Sequence, residues 1–139
     1  MKKRQVVITG AGASGLMAAI MAARKGAAVT VLEQNEKPGK KICATGNGRC
    51  NFSNLAKPDD AYRGEHPEFA EGALVQFSVE DTIDFFREIG IYPLNRNGYL
   101  YPRSNQAQSV VDVLCMEAAS LGVKIKTNET GYRNKNRDK

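Results

Sequence analysis

The feature that most restricts how this chain can fold is a cluster of glycines between an apolar run and a helix-forming segment. Residues 5–9 form a short apolar, β-branched run, which is typical of a buried strand in a parallel sheet. Gly10-Ala-Gly12-Ala-Ser-Gly15 follows, and the next ten residues are rich in alanine and methionine, which favour helix. Residues 28–33 then predict a second strand. Because strand–helix–strand crossovers are right-handed, we expect the two strands to lie parallel and adjacent.

The spacing of these glycines predicts a dinucleotide-binding turn. Gly10 would permit the tight turn, Gly12 would let backbone amides approach a pyrophosphate, and Gly15 would let the helix pack close to the strand. An acidic residue, Glu33, lies 18 residues after Gly15, where a ribose ligand is expected. An acid at this position favours NAD or FAD over NADP. The alternative is a glycine-rich turn in an α/β domain that binds no nucleotide. The candidate cofactor-binding residues of this part are Gly10, Gly12, Ala13, Ser14, Gly15, Glu33 and Gln34.

The rest of the chain alternates between irregular and patterned segments. Residues 34–72 show no persistent period and predict a long irregular stretch. Ser78 with Asp81 predicts a helix start, and Gly90 its end. Residues 91–102 predict a hairpin around Asn97-Gly98, residues 107–121 an amphipathic helix, and residues 123–127 a strand that joins the first sheet. From residue 128 onward we expect a disordered, polar and basic tail.

Composition and charge exclude several classes of protein. The 139 residues are 42% hydrophobic and 25% charged, which is typical of one globular domain and not of a disordered or fibrous chain. The net charge is +5, but the two ends account for the excess and residues 5–132 carry a net charge of −1. No Trp is present and no aromatic residue lies among the terminal charges, so we expect no nucleic-acid partner. The three cysteines indicate a reducing compartment, and the absence of a long apolar segment predicts a cytoplasmic protein that does not span a membrane.

Two further segments carry a resemblance to a known family. The segment 5–54, with its Gly-Lys-Lys run at 39–41 and Gly-Asn-Gly-Arg-Cys-Asn at 46–51, resembles the BaiN-like bacterial flavoproteins, described as NAD(P)/FAD-dependent oxidoreductases. The segment 85–103 is similar to a later part of that family. The resemblance implies that FAD is the cofactor, with NAD(P)H as electron partner, and that residues 40–51 lie toward the flavin half. The resemblance adds two sets of candidate residues. Lys40, Lys41 and Arg49 could neutralise the pyrophosphate, and Gly46, Gly48 and Asn51 could approach the flavin. The alternative is that this segment is a solvated basic loop.

Other reactive side chains offer weaker hypotheses. Cys43 and Cys50 could form the redox pair of a flavin disulfide reductase, although their C-x6-C spacing differs from the C-x4-C of that class. Cys115 is expected in the core. His66 has no evident catalytic partner, and no clustered ligands predict a metal site.

Together these observations predict an α/β fold. We expect a three-layer, FAD-type Rossmann domain over residues 1–127, with a small helix–hairpin excursion, and a tail over residues 128–139. We expect this domain to be truncated relative to the family that it resembles. The leading functional hypothesis is the FAD-binding part of a flavin-dependent oxidoreductase. The alternatives are a non-catalytic fragment that only binds the dinucleotide, a disulfide reductase, and a flavoprotein that modifies tRNA. A sheet that stops at its last strand could also self-associate through an unpaired edge.

Overall fold

A computed structural model describes residues 2–55 and 61–130 of the chain. The chain divides into two compact units. Unit 1 comprises residues 1–43 and 111–139, and unit 2 comprises residues 44–110.

The described residues of unit 1 form a parallel sheet of three strands. The strands are β1 (Gln5–Thr9), β2 (Ala28–Leu32) and β6 (Lys124–Lys126), in the order β1-β2-β6. Val7 is paired with Thr30, and Val31 with Ile125. The predicted strands, their parallel pairing and the return of the last strand to the first sheet are therefore confirmed.

Two helices cover one face of this sheet. Helix α1 (Ala13–Arg24) follows β1, and α5 (Ala107–Ser120) precedes β6. Arg24 of α1 pairs with Glu117 of α5 at 2.7 Å. Because both crossovers step across the sheet in one direction, right-handed connections place both helices on the same side. Their apolar faces and the inward residues of β2 form the core of the unit, with Leu16, Ala19, Ile20, Val29, Val31, Leu114 and Ala118 buried.

The opposite face of β1 is open. Val7 is 65% exposed, whereas Leu16 on the covered side is fully buried. The sequence also predicted Cys115 in the core, but the structure leaves it half-buried on α5, beside Asp112. Partial burial raises the pKa of the Cys115 thiol, so this cysteine is a poor nucleophile.

Unit 2 contains an antiparallel sheet and a capped helix. Strands β4 (Pro93–Arg96) and β5 (Tyr99–Pro102) form the predicted hairpin, with left-handed backbone at both turn residues, Asn97 and Gly98. Helix α4 (Val79–Glu88) begins at the predicted cap, where Ser78 and Asp81 exchange reciprocal hydrogen bonds. Phe86 of α4 packs on Phe52, with ring centroids 4.7 Å apart.

The stretch 34–72 is more ordered than the sequence predicted. It contains α2 (Lys40–Ala44), a 3-10 turn (Thr45–Gly48) and β3 (Ser53–Asn54), and α3 (Phe69–Gln76) begins near its end. These elements are too short to show a period, and β3 exists because it pairs with β5. The prediction of one continuous irregular stretch was therefore wrong.

The beginning of the predicted tail also makes backbone contacts. Asn128 donates its backbone N–H to the Asn35 carbonyl oxygen at 3.1 Å, and Glu129 donates to the Glu33 carbonyl oxygen at 2.9 Å. Residues 131–139, where the rest of the predicted disorder falls, lie outside the described residues.

Candidate functional site

The glycine turn of unit 1 is built by three residues with different steric roles. Gly10 has a φ of +91° and donates its N–H to the Leu32 carbonyl oxygen at 2.7 Å, which ties the end of β1 to β2. A Cβ on Gly15 would overlap the carbonyl oxygen of Gly10, so only glycine lets α1 cross this close to the turn. At Gly12 a Cβ would meet no atom within 4 Å. The fold therefore requires glycine at position 15 but leaves open space at position 12.

This open space lies at the N-terminus of α1. Gly12 has an extended backbone and precedes the first helical residue, and no side chain caps the helix. The intrahelical bonds start with Leu16 N–H to the Gly12 carbonyl oxygen at 2.9 Å. Ala13 and Ser14 in the first turn are exposed. Amides that precede the first helical bond, together with the helix dipole, favour an anion at this position.

Glu33 is a buried carboxylate at the end of β2. Its Oε2 accepts a hydrogen bond from the backbone N–H of Ala11 at 2.7 Å. Its Oε1 accepts one from the Asn35 backbone N–H at 2.8 Å and one from Asn35 Nδ2 at 2.6 Å. The backbone N–H groups of Asn35 and Ala11 lower the pKa of Glu33, and they do so against the opposing effect of burial. The residue predicted as a ribose ligand thus also holds the glycine turn.

A second loop closes on the same turn. Gly39 donates its N–H to the Ala11 carbonyl oxygen at 2.8 Å, so both polar groups of the Ala11 backbone are bonded. Gly39 has a φ of +73°, and an added Cβ would lie 2.5 Å from Cγ2 of Val111. Ala11, Asn35 and Gly39 were not among the site residues predicted from the sequence. Only Gly39 had a local signal, because Pro38-Gly39 marks a turn.

The remaining predicted residues of unit 1 are exposed. Gln34 follows Glu33 with an exposed side chain, and Lys40 and Lys41 are exposed in the first turn of α2.

In unit 2, the loop that resembles the family's second signature has an unusual backbone. Gly46, Asn47, Gly48 and Cys50 all have positive φ, between 55° and 78°. A Cβ on Gly46 would lie 2.7 Å from the backbone nitrogen of Asn51, so both the lack of space and the positive φ require glycine at this position. Left-handed backbone at non-glycine residues costs free energy and recurs at ligand sites.

Two predicted residues of this loop are fixed against the hairpin. Arg49 donates Nε–H to the Gly46 carbonyl oxygen at 3.3 Å, and its guanidinium lies 5.5 Å from the Tyr101 ring centroid. With its amide oriented to satisfy its neighbours, Asn51 donates to the Ser53 carbonyl oxygen at 2.7 Å and to the Leu100 carbonyl oxygen at 3.2 Å. The amide nitrogen of Asn51 therefore holds the loop, and the side-chain oxygen is the part of Asn51 that remains for the predicted flavin contact.

The structure thus brings the predicted residues together in two sets. Unit 1 holds the glycine turn, Glu33, Gln34, Lys40 and Lys41, and unit 2 holds Gly46, Gly48, Arg49 and Asn51.

The other reactive side chains form no recognisable site in the described ranges. Cys43 is half-buried and Cys50 is buried, and neither is part of a disulfide. His66 is exposed, and its Nδ1 lies 3.0 Å from Oε1 of Glu68. Within residues 2–55 and 61–130, no group of three potential metal ligands occurs, and none of the helices there has the length and apolar character needed to cross a membrane.

Parallel strands joined through this glycine turn place the chain among the Rossmann-type α/β domains. Within that class it belongs to the family described as HI0933-like protein Rossmann domain, which it matches over residues 4–139. Its sequence is 51% identical over 125 residues to the 3-dehydro-bile acid delta(4,6)-reductase of Clostridium scindens, covering 88% of this chain and 31% of the relative. It is 36% identical over 118 residues to the ribosomal RNA dihydrouridine synthase of Escherichia coli, covering 84% of this chain and 29% of the relative. The resemblance noted from the sequence is confirmed.

A solved structure supports the fold. The 3-ketosteroid-delta4-(5alpha)-dehydrogenase from Rhodococcus jostii matches with a TM-score of 0.58 at 16% identity, over 92% of this chain and 38% of that one. The chain spans about a third or less of the length of the two curated relatives.

Proposed function

We propose that this chain is the FAD-binding N-terminal part of a flavin-dependent oxidoreductase. The proposal rests on the glycine turn. The turn leaves open space beside Gly12, and the buried carboxylate of Glu33 accepts a hydrogen bond from its Ala11 N–H. When bound, FAD supplies hydride transfer through N5 of its ring system. The protein's part is to hold and orient it.

The residues of unit 1 fit the ADP half of FAD. The amides of Ala13, Ser14 and Gly15 precede the first helical hydrogen bond and can donate to the pyrophosphate. Within the described residues Glu33 accepts one hydrogen bond at Oε2 and two at Oε1, and we assign a ribose hydroxyl to the Oε2 side. The lowered pKa of Glu33 keeps the carboxylate ionised, which opposes a phosphate on that ribose.

The basic and glycine-rich residues are assigned to the remainder of FAD by resemblance. Lys40, Lys41 and Arg49 would supply positive charge to the pyrophosphate. Gly46, Gly48 and the side-chain oxygen of Asn51 would approach the flavin. The held Arg49 side chain supports a binding role, because its contact with the Tyr101 ring and its hydrogen bond to the Gly46 carbonyl oxygen orient its terminal nitrogens before a ligand arrives.

The names of the relatives suggest a reaction class. A delta(4,6)-reductase and a dihydrouridine synthase are both named for the reduction of a carbon–carbon double bond. We therefore propose that the whole protein reduces such a bond in a small molecule with electrons from NAD(P)H. The nearly neutral charge of residues 5–132 favours this over an RNA substrate.

Flavin titration tests the proposed cofactor. We expect FAD to bind the purified chain and Glu33→Ala to weaken binding by about tenfold or more, because a charge-assisted hydrogen bond and the support of the turn are both lost. Glu36→Ala is the matched control, since Glu36 is an exposed carboxyl of the same loop. Absence of FAD binding would contradict the proposal. A parallel assay with NADH and a dye separates the oxidoreductase from a fragment that binds FAD without turnover.

A further inference from the structure

The hairpin of unit 2 has one covered face and one uncovered face. Successive side chains of a strand point to opposite faces of its sheet. On β5, Leu100 and Pro102 are buried on the covered face, whereas Tyr99 on the other face is 49% exposed. Tyr101 shares the uncovered face, but the Arg49 guanidinium lies over its ring, 5.5 Å from the centroid. The uncovered face of β5 is therefore aromatic, and Tyr99 is the more open of its two rings.

Two tyrosine–arginine pairs lie across the hairpin on this face. Arg96 of β4 is paired with Tyr99 of β5, and residues paired in an antiparallel sheet have their side chains on the same face. The pairing continues one step beyond the strands, because Arg103 donates its backbone N–H to the Tyr92 carbonyl oxygen at 2.9 Å. Tyr92 is 60% exposed, and both arginines are exposed as well. We call these four residues the tyrosine–arginine face.

The positive charge of the tyrosine–arginine face is not balanced by its surroundings. The sequence contains no acidic residue over positions 89–111, which include the whole hairpin. In the part of the chain that the structure describes, neither Arg96 nor Arg103 forms an ion pair. Nη2 of Arg96 lies 3.5 Å from Oδ1 of Asn105, which is a neutral acceptor. The face can therefore bind anionic groups with its arginines and planar groups with its exposed rings.

The spacing of the two arginines favours an elongated ligand. The paired positions that hold Arg96 and Arg103 are four residues apart along the hairpin, which corresponds to about 13 Å. Each arginine can then bind its own phosphate group, and a tyrosine beside each can stack on a ring. A dinucleotide has phosphates and two planar ring systems along its length. The nearly neutral charge of residues 5–132 disfavours a long nucleic acid as the alternative.

We propose that the tyrosine–arginine face binds the nicotinamide dinucleotide that supplies electrons to the flavin, with NADP(H) preferred over NAD(H). The arginines bind its phosphates, and the tyrosines stack on its rings. The preference follows from the extra phosphate of NADP(H), which an unpaired arginine can bind. The inference rests on the proposed flavin-dependent function and adds to it a site for the electron partner.

Calorimetric titration with NADP⁺ and NAD⁺ tests this, with FAD present at saturation so that the glycine turn is occupied. The oxidised forms are the probes because they cannot reduce the flavin. We expect NADP⁺ to bind about threefold more tightly than NAD⁺, as one more exposed ion pair would give. Arg96→Gln and Arg103→Gln should each weaken NADP⁺ binding by about three- to fivefold. Tyr99→Leu should weaken it by about fivefold or more, because the stacking ring is lost.

Arg87→Gln is the matched control for charge. Arg87 is exposed on α4, also in unit 2, and lies outside the tyrosine–arginine face. Weaker NADP⁺ binding in the three test variants, with wild-type binding in Arg87→Gln and unchanged FAD affinity in all four, supports the inference. Equal weakening by Arg87→Gln would show a general effect of net charge and overturn it.

The remaining outcomes separate this inference from the proposed function. If FAD binds but NADP⁺ does not, or if NADP⁺ displaces FAD, the inference is overturned and the FAD site stands. If a single-stranded RNA oligonucleotide binds more tightly than NADP⁺ and the same variants weaken it, the face belongs to a nucleic acid and the inference is again overturned. If FAD does not bind, the proposed function is contradicted. The same titration of the FAD-free chain then shows whether the face binds NADP⁺ by itself.

Discussion

At the scale of single residues, the three glycines of the turn separate folding from binding. Gly15 has no room for a Cβ, because the Gly10 carbonyl oxygen occupies that space. Gly12 has room and an ordinary backbone conformation, with a φ of −86°. The structure of the chain alone gives no reason for glycine at position 12, whereas a pyrophosphate approaching the first turn of α1 does.

Alanine substitutions should therefore give opposite results at the two positions. Gly12→Ala is expected to change the free energy of unfolding by no more than about 0.5–1 kcal/mol, since a poorer cap is offset by reduced freedom of the unfolded chain. It should nevertheless abolish measurable FAD binding. Gly15→Ala should lower the free energy of unfolding by about 1–3 kcal/mol or more through overpacking. Urea unfolding and flavin titration measure both quantities, and a Gly12→Ala chain with wild-type affinity would contradict this account.

Glu33 should also make stability depend on pH. Hydrogen bonds from Asn35 and Ala11 lower the pKa of Glu33 in the folded chain, so its ionised form stabilises the fold above the pKa of the unfolded state. That contribution is lost as the pH falls through the lower, folded value. Between about pH 7 and about pH 3 the wild type should lose more free energy of unfolding than Glu33→Gln, which cannot ionise. Urea unfolding at each pH measures the difference, with Glu36→Gln as control; equal losses in wild type and Glu33→Gln would contradict it.

At the scale of elements, the loop after β2 depends on a close contact with α5. Gly39 combines left-handed backbone with contact to Val111, and its N–H holds the Ala11 carbonyl oxygen. Gly39→Ala should lower the free energy of unfolding by about 1–3 kcal/mol. The double variant with Val111→Ala should recover the steric part of this loss but not the part due to φ. Urea unfolding of the wild type, the two single variants and the double variant completes a double-mutant cycle. If the changes in the free energy of unfolding are strictly additive, the contact between positions 39 and 111 does not matter.

The same elements show what sequence patterns can and cannot predict. β1, β2 and the hairpin were predictable because apolar runs and Asn97-Gly98 carry local signals. Strand β3 was not, because Ser53 and Asn54 become a strand only by pairing with β5. Likewise Glu33 was identified by its spacing, but its bonds to Ala11 and Asn35 depend on the folded turn. Contacts between distant segments leave no pattern in a single sequence.

At the scale of the whole molecule, the sheet of unit 1 has an open edge strand. In the sheet as described, β1 pairs only with β2, and Val7 on its uncovered face is 65% exposed. We propose that the isolated chain self-associates through this strand, since unpaired edges with apolar side chains template pairing.

Lysine substitution tests this at little cost to folding. Val7→Lys should reduce the concentration-dependent rise in mass seen by sedimentation, because a charge on an edge strand opposes pairing. Val75→Lys is the matched control, since Val75 of α3 is 85% exposed but lies in unit 2. If Val75→Lys reduces the rise in mass and Val7→Lys does not, the contact between copies of the chain does not lie on β1.

We propose that this chain holds FAD by its ADP half, through the glycine turn and Glu33. Competition against bound FAD tests it most directly, because ADP carries that half and FMN lacks it. We expect ADP to displace FAD from the wild-type chain and FMN to leave it bound. Displacement by FMN but not by ADP, or no binding of FAD at all, would contradict the account.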